Sequence, residues 1–279
     1  MKISTLINLL ITPIGIRLVR ATKRKRLFDL SRYPDVVKPV EPKYLNIGAL
    51  DFPHPLWHNL DNPTEMEAFR ARQAGNIHIH HDLMSERPIP LAINSLSIAY
   101  CSHVIEHLRD SDVKYMFNEV YRILRPGGTF RLVAPDMGLF YDAYQRSDVR
   151  LFSSGLTLYD CPSVEQKLIL QFASSLVRSH PENKERKFTD SEIKNVFETQ
   201  NRDDFFEFFR SRIDIAIQKK YPADHINWFT PQKTGQMLKS AGFYRVDKSA
   251  HGQSALPPLR DITLFDPYCD HSLYFECVK

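Results

Sequence analysis

With 279 residues, 43% of them hydrophobic and 25% charged, the chain has the composition of a folded soluble protein holding one core, or one core plus a subdomain. The net charge of +4 is small and its excess sits in one cluster, Arg17 to Arg26, which speaks against a nucleic-acid surface spread over the fold. Four scattered cysteines, Cys101, Cys161, Cys269 and Cys277, do not form a disulfide framework and fit a reducing cytoplasm.

The chain opens on an apolar run, Ile3 to Ile16, shorter than the roughly 20 residues a membrane-spanning helix needs. Ile3, Ile7, Leu10, Ile14 and Leu18 share one helical face, with a bend at Pro13. That face and the Lys/Arg cluster behind it describe a helix lying on an anionic membrane through residues 1–26. A terminal helix packed on the domain with its charges in water is the alternative. Residues 1–28 are thus set off as a basic amphipathic segment from a domain over 29–279. Asp29 to Pro42, with Pro34, Pro39 and Pro42, reads as an extended linker.

Lys43 to Gly48 reads as a strand entering a glycine turn, followed by the bulkier Ala49-Leu50-Asp51-Phe52-Pro53. Trp57 to Asp61 is a second strand, Glu65 to Ala74 a helix, and Ile77 to Leu83 a third strand with His78 and His80 on one side. From Ser95 the chain reads strand, helix, strand. Leu96, Ile98 and Tyr100 open a buried strand; Asp110 or Ser111 caps the helix. Val113, Met116, Phe117, Val120, Ile123 and Leu124 form that helix's apolar face, Arg125-Pro126-Gly127-Gly128 stops it, and Thr129 to Ala134 is the next strand.

Residues 139–224 are long for one connection and predict helices over Val164–Val177 and Ser191–Lys219, with Phe205, Phe206, Phe208 and Phe209 as core. Thr230 and Pro231 start a further helix that ends near Gly242. Phe243 to Ser249 and Ser272 to Val278 are the last two strands.

His103-Val-Ile-Glu106-His107 matches the H-x-x-E-H spacing of inverted zinc peptidases. Those enzymes carry the motif inside a long helix, whereas here it follows a strand and ends at a helix-start signal, so no metal is expected. The three histidines of the third strand likewise read as strand-edge side chains.

Ser102 to Leu108 (SHVIEHL), the run Glu119-Val-Tyr-Arg122-Ile-Leu124-Arg-Pro126-Gly-Gly128 and the strand ending in Pro135-Asp136 resemble the class I S-adenosylmethionine-dependent methyltransferases, of the type 11 kind. The resemblance extends more weakly from about Tyr44 to the C-terminus. It implies a Rossmann-like α/β fold: a seven-stranded, mostly parallel sheet with helices on both faces, an antiparallel last strand, and a helical lid (139–224) inserted after the fifth strand. It implies S-adenosylmethionine as cofactor, held by Asn46, Gly48 and Ala49 in the first loop, Asp61 on the ribose, Asp82 and Leu83 near the adenine, and Ser102. The family's first loop carries two or three glycines; here Gly48 stands alone. Transfer to a hydroxyl needs a base, and His103, His225 and Asp136 stand at the right strand ends, with His251 a weaker candidate. The L-N-I-G start, the W-x-N-x-D second strand and the S-L-Y-x-E end resemble enzymes of bacterial surface-polysaccharide synthesis. This implies a small-molecule or glycan acceptor, a sugar hydroxyl or lipid-linked glycan, methylated in the cytoplasm or at the inner membrane face. Two other readings stay open: a non-catalytic binding protein on the same fold, and a zinc hydrolase through His103, Glu106 and His107.

Overall fold

The computed structural model describes residues 44–49, 52, 54, 56–62, 77–153, 163–178, 187–266 and 268–279. The amphipathic segment 1–28, the linker to Pro42 and the helix expected over 65–74 lie outside the described residues.

Among the described residues seven strands form one sheet: β1 (Tyr44–Ile47), β2 (Trp57–Asp61), β3 (Ile77–His80), β4 (Leu96–Ser102), β5 (Leu124–Pro135), β6 (Arg245–Ser249) and β7 (Ser272–Val278), in the order β3-β2-β1-β4-β5-β7-β6. The first five run parallel, and β7 lies antiparallel between β5 and β6. The order reverses between β1 and β4, the place where open α/β sheets leave a crevice at their carboxyl ends. The link from Ile47 to Trp57 is shorter than the dozen or so residues a parallel crossover ordinarily takes.

The helices are α1 (Asp110–Ile123), α2 (Met137–Gln145), α3 (Val164–Leu170), α4 (Asp190–Thr199), α5 (Arg202–Arg210), α6 (Ile215–Lys220) and α7 (Pro231–Ser240). The apolar face read for α1 is the buried one: Val113, Met116, Phe117, Val120 and Ile123 pack with Ala99, Cys101, Phe130 and Leu132. Met237 and Leu238 of α7 join the same core. Tyr44, Trp57 and Tyr100 are buried outside that core, and Phe265 packs on Trp57 and Tyr100.

Local chemistry shifts several boundaries. The cap of α1 is not Asp110 or Ser111. Arg109 stands at the N-cap, and Asp112 reaches back to accept its N–H at 3.1 Å. β3 stops at His80 because Asp82 Oδ1 accepts the Met84 N–H at 2.8 Å and turns the chain. β5 is longer than read, starting directly at Leu124. The single helix read over Ser191–Lys219 is three short ones; Asn201 accepts the Asp204 N–H and starts α5 afresh. Thr230 caps α7 as read, accepting the Lys233 N–H at 3.2 Å.

The insertion has its own core, in which Phe205, Phe206 and Phe209 are fully buried with Phe172, Leu168 and Leu176. Each such side chain contributes about 1.5–3 kcal/mol by leaving water. The E-x-x-R of the motif has a structural use. Arg122 clasps Glu119 and donates to the carbonyls of Ile89 and Leu91, while Glu119 accepts the Ile89 N–H, so the pair pins the chain entering β4.

Candidate active site

β4 ends at Ser102, and the chain turns sharply at His103, whose φ of 54° is in the left-handed region. A single 3-10 turn, Ile105–His107, follows. The segment entering α7 is stitched onto this turn: the Glu106 carbonyl accepts from the Ile226 and Asn227 N–H groups at 2.8 and 3.1 Å. The Asn227 amide donates to the Leu108 carbonyl and to Asp110. On its other side His225 exchanges hydrogen bonds with Ser174 of the insertion. These bonds set His225 against His107, ring centroids 4.8 Å apart and nearly perpendicular.

The result is a cavity of about 410 Å³ at the carboxyl ends of β4 and β5. His103, Glu106, His107, His225 and His271 supply its polar wall; Phe140, Leu170 and Arg178, from α2 and the insertion, close it from the other side. Two base candidates, His103 and His225, thus meet in one chamber. Asp136 does not join them: its carboxylate caps α2 by accepting the Leu139 N–H at 3.2 Å, and it opens on a different depression with Arg202 and Thr230. His251 is also absent from the lining; its ring lies tilted near that of Tyr274.

Glu106 is 1% exposed. Burial pushes its carboxyl up, but His103, then His107 and His225, outweigh this and hold it down at about 2. His103 Nδ1 stands 3.1 Å from Glu106 Oε1, and its Nε2 lies 2.9 Å from the Ser272 hydroxyl. His225 Nδ1 donates to the Gln171 carbonyl at 2.6 Å. Burial, and next the adjacent His107, push the His225 imidazole down to about 4, so its ring is neutral near pH 7.

The expected cofactor residues lie at the neighbouring strand ends. Asn46 pairs with Asn59 and Tyr100 across the sheet, Asp61 ends β2, Ser102 ends β4, and Asp82 follows β3 in its turn. Asp61 is half-buried and Asp82 exposed; Leu83 packs against the main core. Gly48 has a φ of +70°, and its N–H donates to the Leu60 carbonyl at 2.8 Å. A Cβ there would come within 2.2 Å of Val104 Cγ2, so only glycine fits beneath the turn carrying His103. Ala49 is buried. Leu50 lies outside the described residues, while the Phe52 ring packs against Phe265 and Trp57. The Ser102 hydroxyl is buried with no hydrogen-bond partner among the described residues. A left-handed glycine, a buried hydroxyl and two carboxylates, at or just past the ends of neighbouring strands, suit an adenosyl ligand with its ribose hydroxyls and polar tail.

The H-x-x-E-H spacing does not give the peptidase arrangement, because His103 precedes, and His107 ends, a single three-residue turn rather than both sharing a long helix. Sequence reasoning missed the convergence of Glu106, His107 and His225, and no local signal carries it.

Residues 58–132 match the family model described as a methyltransferase domain, a span from β2 into β5 that includes Ser102–Leu108 and Glu119–Gly128. No curated protein matches the chain. Among solved structures, an S-adenosylmethionine-dependent methyltransferase from Mesorhizobium loti is 15% identical, covering 85% of this chain and 90% of its own, with a TM-score of 0.42. One from Archaeoglobus fulgidus is 12% identical over 90% and 91%, TM-score 0.42. One from Thermotoga maritima is 14% identical over 88% and 84%, TM-score 0.41. Likenesses this distant say nothing about an acceptor. The match over residues 58–132, with the strand order of an open α/β sheet, supports a methyltransferase enzyme. Among the described residues no helix is long and apolar enough to cross a membrane.

Proposed function

We propose that the chain transfers the methyl of S-adenosylmethionine to a hydroxyl of a sugar or lipid-linked glycan, with His103 as the base. Asn46, Gly48, Ala49, Asp61, Asp82, Leu83 and Ser102 hold the cofactor. When bound, it supplies a methyl carbon whose bond to a sulfonium breaks with both electrons left on sulfur. The observation that carries the reading is the pairing of His103 with the buried Glu106 on the wall of a cavity beside those strand ends.

Glu106 keeps the His103 proton on Nδ1, so Nε2 is the accepting nitrogen; an acceptor hydroxyl that takes the place of the Ser272 hydroxyl there gives Nε2 its proton as the oxygen attacks. Phe140 and Leu170 offer the apolar surface on which a sugar ring can lie, and the insertion excludes water from the reaction. The basic segment at Arg17 to Arg26 would bring the domain to an anionic membrane surface, where lipid-linked acceptors are found.

Incubation with methyl-labelled S-adenosylmethionine and a bacterial lipid-linked oligosaccharide fraction tests this. Label retained in the glycan through mild alkali, as an ether requires, is the expected result. Label reaching only protein, nucleic acid or free small amines would reject the hydroxyl acceptor.

A further inference from the structure

We propose that Glu106, His107 and His225 form a site for a divalent first-row transition-metal ion of the Zn²⁺ class, open toward the cavity. One donor atom from each lies within 4.8 Å of the others. Metal–nitrogen bonds of about 2.0–2.1 Å set donors around one ion roughly 3.0–3.5 Å apart, so small side-chain rotations close the set.

Three independent features prepare these residues for a cation. His107 Nδ1 contacts the Asp224 carbonyl at 3.0 Å and His225 Nδ1 the Gln171 carbonyl at 2.6 Å. A carbonyl only accepts, so in both rings the proton is on Nδ1, the outer-shell arrangement typical of metal-binding histidines. Next, Glu106 is buried; its Oε1 faces His103 Nδ1 at 3.1 Å, and its Oε2 has no hydrogen-bond partner among the described residues. A buried carboxylate oxygen left in this way is a ready ligand for a cation. Lastly, the backbone bonds from Ile226 and Asn227 to the Glu106 carbonyl hold the two halves of the site in register.

Two imidazoles and one carboxylate suit Zn²⁺, Mn²⁺, Fe²⁺ or Co²⁺ rather than Mg²⁺ or Ca²⁺. Three protein ligands leave positions open. The ligand set differs from that of the H-x-x-E-H peptidases, because His103 stays outside it, turned toward Ser272 and an oxygen of Glu106. Resting on the hydroxyl-acceptor reading above, the ion would hold the acceptor oxygen and lower its pKa, as a bound cation does for water. The released proton then passes to His103.

The test is Co²⁺ titration of the metal-stripped full chain without cofactor or acceptor, followed by visible d–d absorption, with thermal unfolding recorded alongside. One equivalent is expected to bind and to raise Tm. His107→Gln and His225→Gln should each weaken binding by more than about 100-fold, since even outer-shell losses cost 10–100-fold. His103→Gln, which removes only a neighbour of Glu106, should still bind one equivalent, weakened by no more than about 10–100-fold. No stoichiometric binding by the wild type overturns the site, as does unchanged affinity in either ligand variant that folds. Loss of binding in folded His103→Gln overturns the ligand set. Because no turnover is read, failure here is separable from failure of the methyl-transfer reading.

Discussion

Asp266→Ala is expected to lower the unfolding free energy by about 3–5 kcal/mol, because it strands a buried guanidinium. Arg131, in β5, is fully buried. It clasps Asp266 through Nε and Nη2, and donates to the carbonyls of Gln253 and Ala250 at 2.8 and 2.9 Å. Asp266 in turn donates its N–H to the Tyr100 hydroxyl at 2.7 Å, and its carboxylate accepts the Gly252 N–H. These bonds tie the segment between β6 and β7 to the sheet. Glu276 stands 3.7 Å from Arg131 but is engaged by Ser254 and the Ala255 N–H, so it cannot replace the bidentate partner. Urea unfolding followed by circular dichroism measures the change. The double variant Arg131→Met/Asp266→Leu should recover much of it, since an apolar pair leaves no charge behind. A loss below about 1 kcal/mol for Asp266→Ala would mean that the ion pair lacks the importance assigned to it, being closer to an exposed pair.

The second large effect falls on turnover. His103→Gln is expected to cut kcat by about 10²–10⁴, the usual contribution of a positioned base, while affinity for S-adenosylmethionine is unchanged. The two readouts separate roles that a simple loss of activity would merge. His103 occupies a left-handed corner next to Val104, whose side chain presses on Gly48, so a variant that disturbed the fold there would weaken cofactor binding too. Rapid-quench measurement of the methyl-transfer step gives the rate and calorimetry the affinity. Wild-type turnover in the variant would remove the imidazole from the chemistry.

What could be read from the residues alone was largely what local periodicity and capping encode. The buried face of α1, the Thr230-Pro231 start of α7 and the alternation of β7 each rest on side chains within a few positions of one another. Asp136 shows where that reasoning stopped short. An aspartate placed just before a helix is a capping signal, and that local use takes it away from the cavity. Arg131 and Asp266 are 135 residues apart in the chain and carry no mark of their pairing. His225 illustrates the same limit: its position against His107 and Glu106 depends on backbone bonds from Ile226 and Asn227 that only the folded chain brings together. The single-glycine loop was legible as a departure. What the fold adds is the reason for the remaining glycine, which is the Val104 side chain pressed against it.

Calorimetric titration with S-adenosylmethionine tests the central claim most directly, namely that strand ends carrying one glycine and two carboxylates still bind the methyl donor. Saturable one-site binding is predicted, with Asp61→Ala weaker by roughly ten- to a hundredfold, the equivalent of one lost charge-assisted hydrogen bond of about 1.5–3 kcal/mol. Absence of binding by the folded wild-type protein would contradict the account and leave a methyltransferase fold without a methyltransferase's chemistry.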